Sequence, residues 1–154
     1  WDCTAMGGSP KLSRAMRGSW YGCCLVGLRR RAATEDGETV ATSRDQFFAD
    51  CDVVSLHVRL KPSTKGLITA ADLTQMQLDR LLANTSHAGL IAPGTLLQAL
   101  NAARPGKAAV DVFDTEPLTD PNDPLLSHPN LIATPHIGFI TEDEFNMQFS
   151  DIFD

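Results

Sequence analysis

Downstream of Thr39, short apolar runs alternate with stretches whose apolar positions recur three or four residues apart, the period of a helix with one buried face. Asp52-Val-Val-Ser-Leu-His57 predicts a strand buried on both faces. Leu81-Leu-Ala-Asn-Thr85, Lys107-Ala-Ala-Val-Asp-Val-Phe113 and Leu131-Ile-Ala-Thr134 predict three more strands, and Val40-Ala41 the end of an earlier one. Helices fall between them. Ser43 is a good N-cap for a helix through Phe47, Phe48 and Ala49. Thr69 caps a helix through Leu73 and Met76, with Asp72 in a capping-box position. Pro93 opens a helix through Leu96, Leu97 and Leu100 at its first turn. Thr141 caps a last helix containing Phe145, Phe149 and Ile152. Lys61-Pro62-Ser63-Thr64-Lys65-Gly66 reads as a loop.

This alternation predicts an α/β fold, a Rossmann-like doubly wound parallel sheet covered by helices. In open sheets of that kind, ligands sit beyond the carboxyl ends of the strands. The polar residues just after the runs are therefore the candidates: His57, Thr85, Ser86, His87, Asp111, Glu116 and His136. Residues 1–33 show neither period and form an atypical segment. Residues 34–154 are expected to form one domain.

Composition narrows the classes. A chain of 154 residues can bury one core. Its formal net charge of -6 argues against nucleic acid and anionic membrane surfaces as partners, since both demand basic residues. No apolar run is long enough for a bilayer and no leader pattern is present, so a cytoplasmic location is expected. Cys3, Cys23, Cys24 and Cys51 fit no common zinc or Cys-x-x-Cys spacing, and are expected to be reduced thiols packed as small apolar groups. No metal site is expected. A first residue of Trp1 suggests a piece of a longer chain.

Glu116 and His136 are the central chemical candidates. Each follows a predicted strand, and parallel topology brings both loops to one edge. A carboxylate beside an imidazole favours the imidazolium and fixes its orientation. An alcohol-to-ketone conversion needs such a pair: the imidazole takes the hydroxyl proton while hydride leaves. Spacing alone favours a plainer assignment, in which Glu116 opens a loop and His136 ends a strand.

Motif context changes the weighing. Ser55-Leu-His-Val-Arg-Leu-Lys-Pro-Ser-Thr-Lys-Gly-Leu-Ile, Asn84-Thr-Ser-His-Ala-Gly, Ala109-Val-Asp-Val-Phe-Asp-Thr-Glu-Pro and Pro129-Asn-Leu-Ile-Ala-Thr-Pro-His-Ile-Gly138 occur in order at suitable separations. Over residues 36–154 the chain resembles the NAD-binding domain of the D-2-hydroxyacid dehydrogenase family, phosphoglycerate dehydrogenase-like. The resemblance implies an NAD-dependent oxidoreductase of small 2-hydroxy and 2-keto acids. It assigns His136 as acid/base and Glu116 as its partner carboxylate. Asp111 is assigned to the nicotinamide carboxamide, Thr85 and Ser86 to the loop along the cofactor, and His57 and Thr64 to an earlier loop beside it. His136 and Gly138 complete the cofactor side. Homodimers through the cofactor domains are usual in the family.

Two departures stand out. The family has Arg after Asn-Thr-Ser, gripping the substrate carboxylate with two parallel hydrogen bonds, and this chain has His87. Histidine cannot reproduce a permanently charged, bidentate fork. Crippled turnover with surviving NAD contacts is the expectation, alongside a second reading as a non-catalytic NAD-binding module. The other departure is the missing G-x-G-x-x-G, which would hold a pyrophosphate at a helix N-terminus; Gly7-Gly8 is the nearest candidate.

Reading across codon boundaries offers a reason. Trp1-Asp2 and Met6-Gly7 then each force Gly, Asp2-Cys3 forces Leu, and the run can read Gly-Leu-Tyr-Gly-Tyr-Gly-Arg. Residues 20–27 fit a second strand in the other shifted frame, less decisively. Residues 1–33 are thus expected to be an out-of-frame dinucleotide-binding unit, with the frame restored before Glu35; nucleotides lacking such a frame would overturn this. The substrate domain of the family is absent, so the piece alone should not form a complete pocket, and a decayed gene product is the third reading. Arg29-Arg30-Arg31, a solvated or out-of-frame charge run rather than a 2′-phosphate reader, leaves NAD against NADP open. Phe145 and Phe149 are expected in a core or interface.

Overall fold

The computed structural model describes residues 41–138 and 141–153. The readings placed on residues 1–33, and that on Val40, lie outside the described residues.

Helix α1 (Arg44–Asp50) starts where Ser43 accepts from the Gln46 amide, as its N-cap position predicts. It buries Phe47 and Phe48, whose rings meet edge to face at 5.2 Å. Cys51 follows, buried in the core as expected of a packed thiol. Strand β1 (Val53–Leu56) leads to helix α2 (Ala70–Gln75). Thr69 and Asp72 form the anticipated capping box there, each satisfying the other's backbone N–H. Strand β2 (Leu81–Asn84) and a 3-10 turn (Ala88–Leu90) precede helix α3 (Thr95–Asn101). Strand β3 (Lys107–Val110), strand β4 (Leu131–Ala133) and helix α4 (Glu142–Phe153) complete the described chain.

The four strands are parallel, in the order β1-β2-β3-β4. Register runs from Val54 to Leu82 to Ala108 and on through Val110 to Ala133. Arg44 reaches from α1 to the Asp72 carboxylate and to the Leu67 carbonyl, tying α1 to the start of α2. The core gathers Phe48, Leu56, Ile68, Leu73, Leu82 and Leu100. Burying such side chains stabilises by about 1.5–3 kcal/mol each.

Three expectations need correction. Pro93 does not open α3: Gly94 is its N-cap at φ +71°, a left-handed conformation that glycine adopts without Cβ cost. The third strand ends at Val110, not Phe113, because the Asp111 side chain turns into the sheet end and binds the neighbouring loop. And β1 is not evenly buried: Val54 and Leu56 are buried while Val53 is 37% exposed, the alternation of a strand with one better-covered face.

The β4 end is different in kind. Ile132 is 68% exposed and Met147 69%. Phe145 and Phe149 stack on each other at 4.3 Å but stay exposed, so neither is a core residue of the described fold.

Candidate functional site

Two buried polar residues at the carboxyl ends of adjacent strands shape the loops that follow. The first is Asn84, at the end of β2. Its carbonyl oxygen accepts from the Ser86 and His87 amides at 3.2 and 3.3 Å, and its amide donates to the His87 carbonyl at 2.9 Å. A buried amide must find such partners or forfeit about 1–3 kcal/mol. The loop Thr85–His87 is therefore drawn tight over the strand end, and Ser86 Oγ ties it to the Val58 carbonyl at 3.2 Å.

The second is Asp111, just past β3. Thr134 Oγ1 donates to Oδ1 at 2.5 Å, Ile137 N to the same oxygen at 3.0 Å, and Gly138 N to Oδ2 at 2.8 Å. Burial acts to raise this carboxyl's pKa, but the Thr134, Ile137 and Gly138 donors outweigh it, with a contribution from His136, and hold it below its ordinary value. Asp111 thus fixes the loop that carries His136. Gly138 is required by that approach: a Cβ there would fall 2.8 Å from Asp111 Oδ2. Between these anchors His136 takes a left-handed backbone at φ +54°, which reverses the chain.

That reversal sets His136 Nδ1 2.6 Å from Glu116 Oε2. The other Glu116 oxygen accepts from the Phe113 amide at 2.9 Å, which fixes the carboxylate. The bond with Glu116 raises the His136 pKa against the opposing effect of desolvation, and the same bond lowers that of Glu116. Parallel topology does bring the two loops to one rim, as expected. His87 joins them: a 310 Å³ cavity is lined by Ser86, His87, Glu116 and His136, and also by Lys65 and Asp114. A second cavity of 550 Å³ touches Glu116 and His136 from an apolar side formed by Leu118, Leu126 and Pro135.

Other candidates stand apart from that cavity. His57 Nε2 meets Ser55 Oγ at 2.7 Å, and burial pushes its imidazole below the ordinary value. Thr64 Oγ1 donates to the Arg59 carbonyl at 2.8 Å and accepts from Lys61 N at 2.8 Å, bracing its own turn. Thr85 is exposed at the end of β2. Asn84 and Thr134 lie within the sequence motifs, but neither stands among the candidates that periodicity and resemblance single out. Their signal is a polar residue at the carboxyl end of an apolar run.

The Asp111 carboxylate and the Ser86 and Thr134 hydroxyls at these strand ends are hydrogen-bonding groups of the kind that suit the carboxamide of a nicotinamide. Gly7-Gly8, the nearest candidate for a phosphate-binding turn, lies outside the described residues.

Residues 14–138 match the family model of the D-isomer specific 2-hydroxyacid dehydrogenase, NAD binding domain. The chain is 37% identical over 113 residues to a glycerate dehydrogenase of Methylorubrum extorquens, and 42% identical over 100 residues to C-terminal-binding protein 1 of Caenorhabditis elegans. Those matches take in 71% and 64% of this chain but only 35% and 14% of the relatives' lengths. Among solved structures, a Ralstonia solanacearum protein assigned as a D-3-phosphoglycerate dehydrogenase oxidoreductase superposes with a TM-score of 0.84 at 39% identity, over 90% of this chain and 41% of that one. Parallel sheet, rim-mounted His136 and Glu116, and a family match across most of the chain converge: this chain belongs to the NAD-binding domain family of the D-isomer specific 2-hydroxyacid dehydrogenases.

Proposed function

We propose that this chain is the cofactor-binding part of an NAD-dependent oxidoreductase acting on the CH–OH group of a small D-2-hydroxy acid. The observation that carries the reading is the 2.6 Å bond between His136 Nδ1 and Glu116 Oε2 at the rim of a parallel sheet. Bound NAD would supply the hydride acceptor, and NADH the donor. His136 exchanges the substrate's hydroxyl proton through its other ring nitrogen, Nε2, and Glu116 holds the ring's tautomer and stabilises its charged form. Asp111 and Gly138 hold the His136 loop at the nicotinamide side. Thr85 and Ser86 lie along the cofactor, with His57 and Thr64 shaping the loop beside it. His87 faces the substrate carboxylate. We assign no metal to the site.

The division at residue 34, an out-of-frame segment before it, a cytoplasmic location and a homodimer of the longer protein belong to the same proposal. No helix among the described residues is long and apolar enough to cross a membrane. The net charge of -6 supports a partner other than nucleic acid.

His87 favours a second reading, a non-catalytic NAD-binding module. One experiment separates the two. In a full-length context that includes a substrate domain, NADH is titrated against the protein by cofactor fluorescence, and pyruvate is then added while NADH absorbance is followed. Binding with turnover that disappears in His136→Gln supports the oxidoreductase. Binding without turnover supports the module, and no binding defeats both.

A further inference from the structure

Lys65 lines the cavity that His87, Glu116 and His136 share, and no reading of the sequence gave it a task. It follows the turn braced by Thr64, and the Gly66 amide donates to the Gly89 carbonyl at 2.8 Å, which fixes Lys65 beside the His87–Gly89 backbone. Its side chain is exposed, and no described carboxylate forms an ion pair with it. Two acids share the cavity: Glu116 is engaged by His136 and the Phe113 amide, while Asp114 is exposed.

A 2-keto acid presents a carboxylate one bond from the carbonyl that must meet His136. Histidine at position 87 supplies no fixed charge for that carboxylate, whereas the Lys65 ammonium supplies a compact one with three donors. We propose that Lys65 is the cationic anchor of the substrate carboxylate in this chain, standing in for the guanidinium that position 87 lacks. This rests on the oxidoreductase reading and names a specificity-determining residue within it. An ammonium is a point charge and not a planar fork, so it attracts the carboxylate without setting its plane. The arrangement favours small 2-keto acids whose carboxylate can approach the cavity wall, and Asp114 opposes them by like charge.

The test uses oxamate, a non-reducible 2-keto acid mimic, titrated calorimetrically into the NADH-loaded protein in a full-length context that includes a substrate domain. Lys65→Met should weaken oxamate binding by about tenfold, the lower end for a charge-assisted hydrogen bond at an exposed site. Lys65→Arg should retain it, and Asp114→Asn should tighten it. Neutral oxamide and NADH itself should bind Lys65→Met as they bind the unaltered chain. Lys65 lies on an exposed turn, and an unchanged amide NMR spectrum verifies the variant's fold. Equal oxamate affinity in the unaltered chain and Lys65→Met overturns the inference, as does NADH binding with no oxamate binding at all. Failure to bind NADH is a different result, because it removes the oxidoreductase reading beneath.

Discussion

Arg44 with Asp72, and His136 with Glu116, are both charged, hydrogen-bonded pairs, yet they sit in opposite settings. Asp72 is 4% exposed, caps α2 and takes Arg44 through both of its oxygens. Burial acts to raise its pKa, but the Arg44 and Thr69 bonds hold it below its ordinary value. His136 and Glu116 are open to solvent, at 45% and 35% side-chain exposure. Each stands on a loop held by a backbone contact or by Asp111. The first pair closes a core; the second displays an imidazole at a rim. Hydrogen bonding and a shifted pKa occur in both, so neither property marks function. Access to a cavity does, combined with a proton-exchanging group whose charge can change near neutral pH.

That contrast can be broken, beginning with its buried member. Arg44→Met leaves Asp72 buried without its guanidinium and should cost about 3–5 kcal/mol of folding stability, read by urea unfolding. A loss under 1 kcal/mol would mean Asp72 is easily rehydrated. The site gives the next largest effect. In a full-length context, His87→Arg should raise kcat/KM for a 2-keto acid by about ten- to a hundredfold while NADH affinity stays level. Equal kinetics in the two forms would show that the carboxylate is held elsewhere. Thr134→Val removes one of three donors from Asp111 and should cost about 1–3 kcal/mol by the same unfolding assay. Phe145→Ser, on the exposed face of α4, should change stability by less than about 0.5 kcal/mol. A larger loss would show that this face is packed in the folded chain.

The pairs should also separate by pH. Asp72 and Asp111 have folded-state pKa values below the unfolded ones. Their contribution is therefore present above the ordinary carboxylate range and lost as pH falls through the depressed values. The His136 pKa is raised, so any contribution it makes is complete below the ordinary imidazole value and lost as pH rises through the folded one.

Much of this was legible in the chain because it is local. Ser43 and Thr69 cap within three residues of their targets, and the four apolar runs are strands within a residue or two, except that the third stops short. That exception is instructive. Asp111 ends the strand through partners at Thr134, Ile137 and Gly138, more than twenty residues away, and no period records such a meeting. Gly94 displaced Pro93 as the start of α3 because its left-handed backbone was invisible to propensity. In the site, the His136–Glu116 meeting was inferable from parallel topology. The sharing of one cavity by Lys65 and His87 was not, since it depends on how the Thr64 turn packs against the Gly89 backbone.

The central claim is that Glu116 holds His136 charged and oriented. Proton NMR titration of the His136 ring, in the chain and in Glu116→Gln, tests it most directly. The His136 pKa should lie above the ordinary imidazole value and drop when the carboxylate becomes an amide. An identical titration curve in both proteins would contradict it.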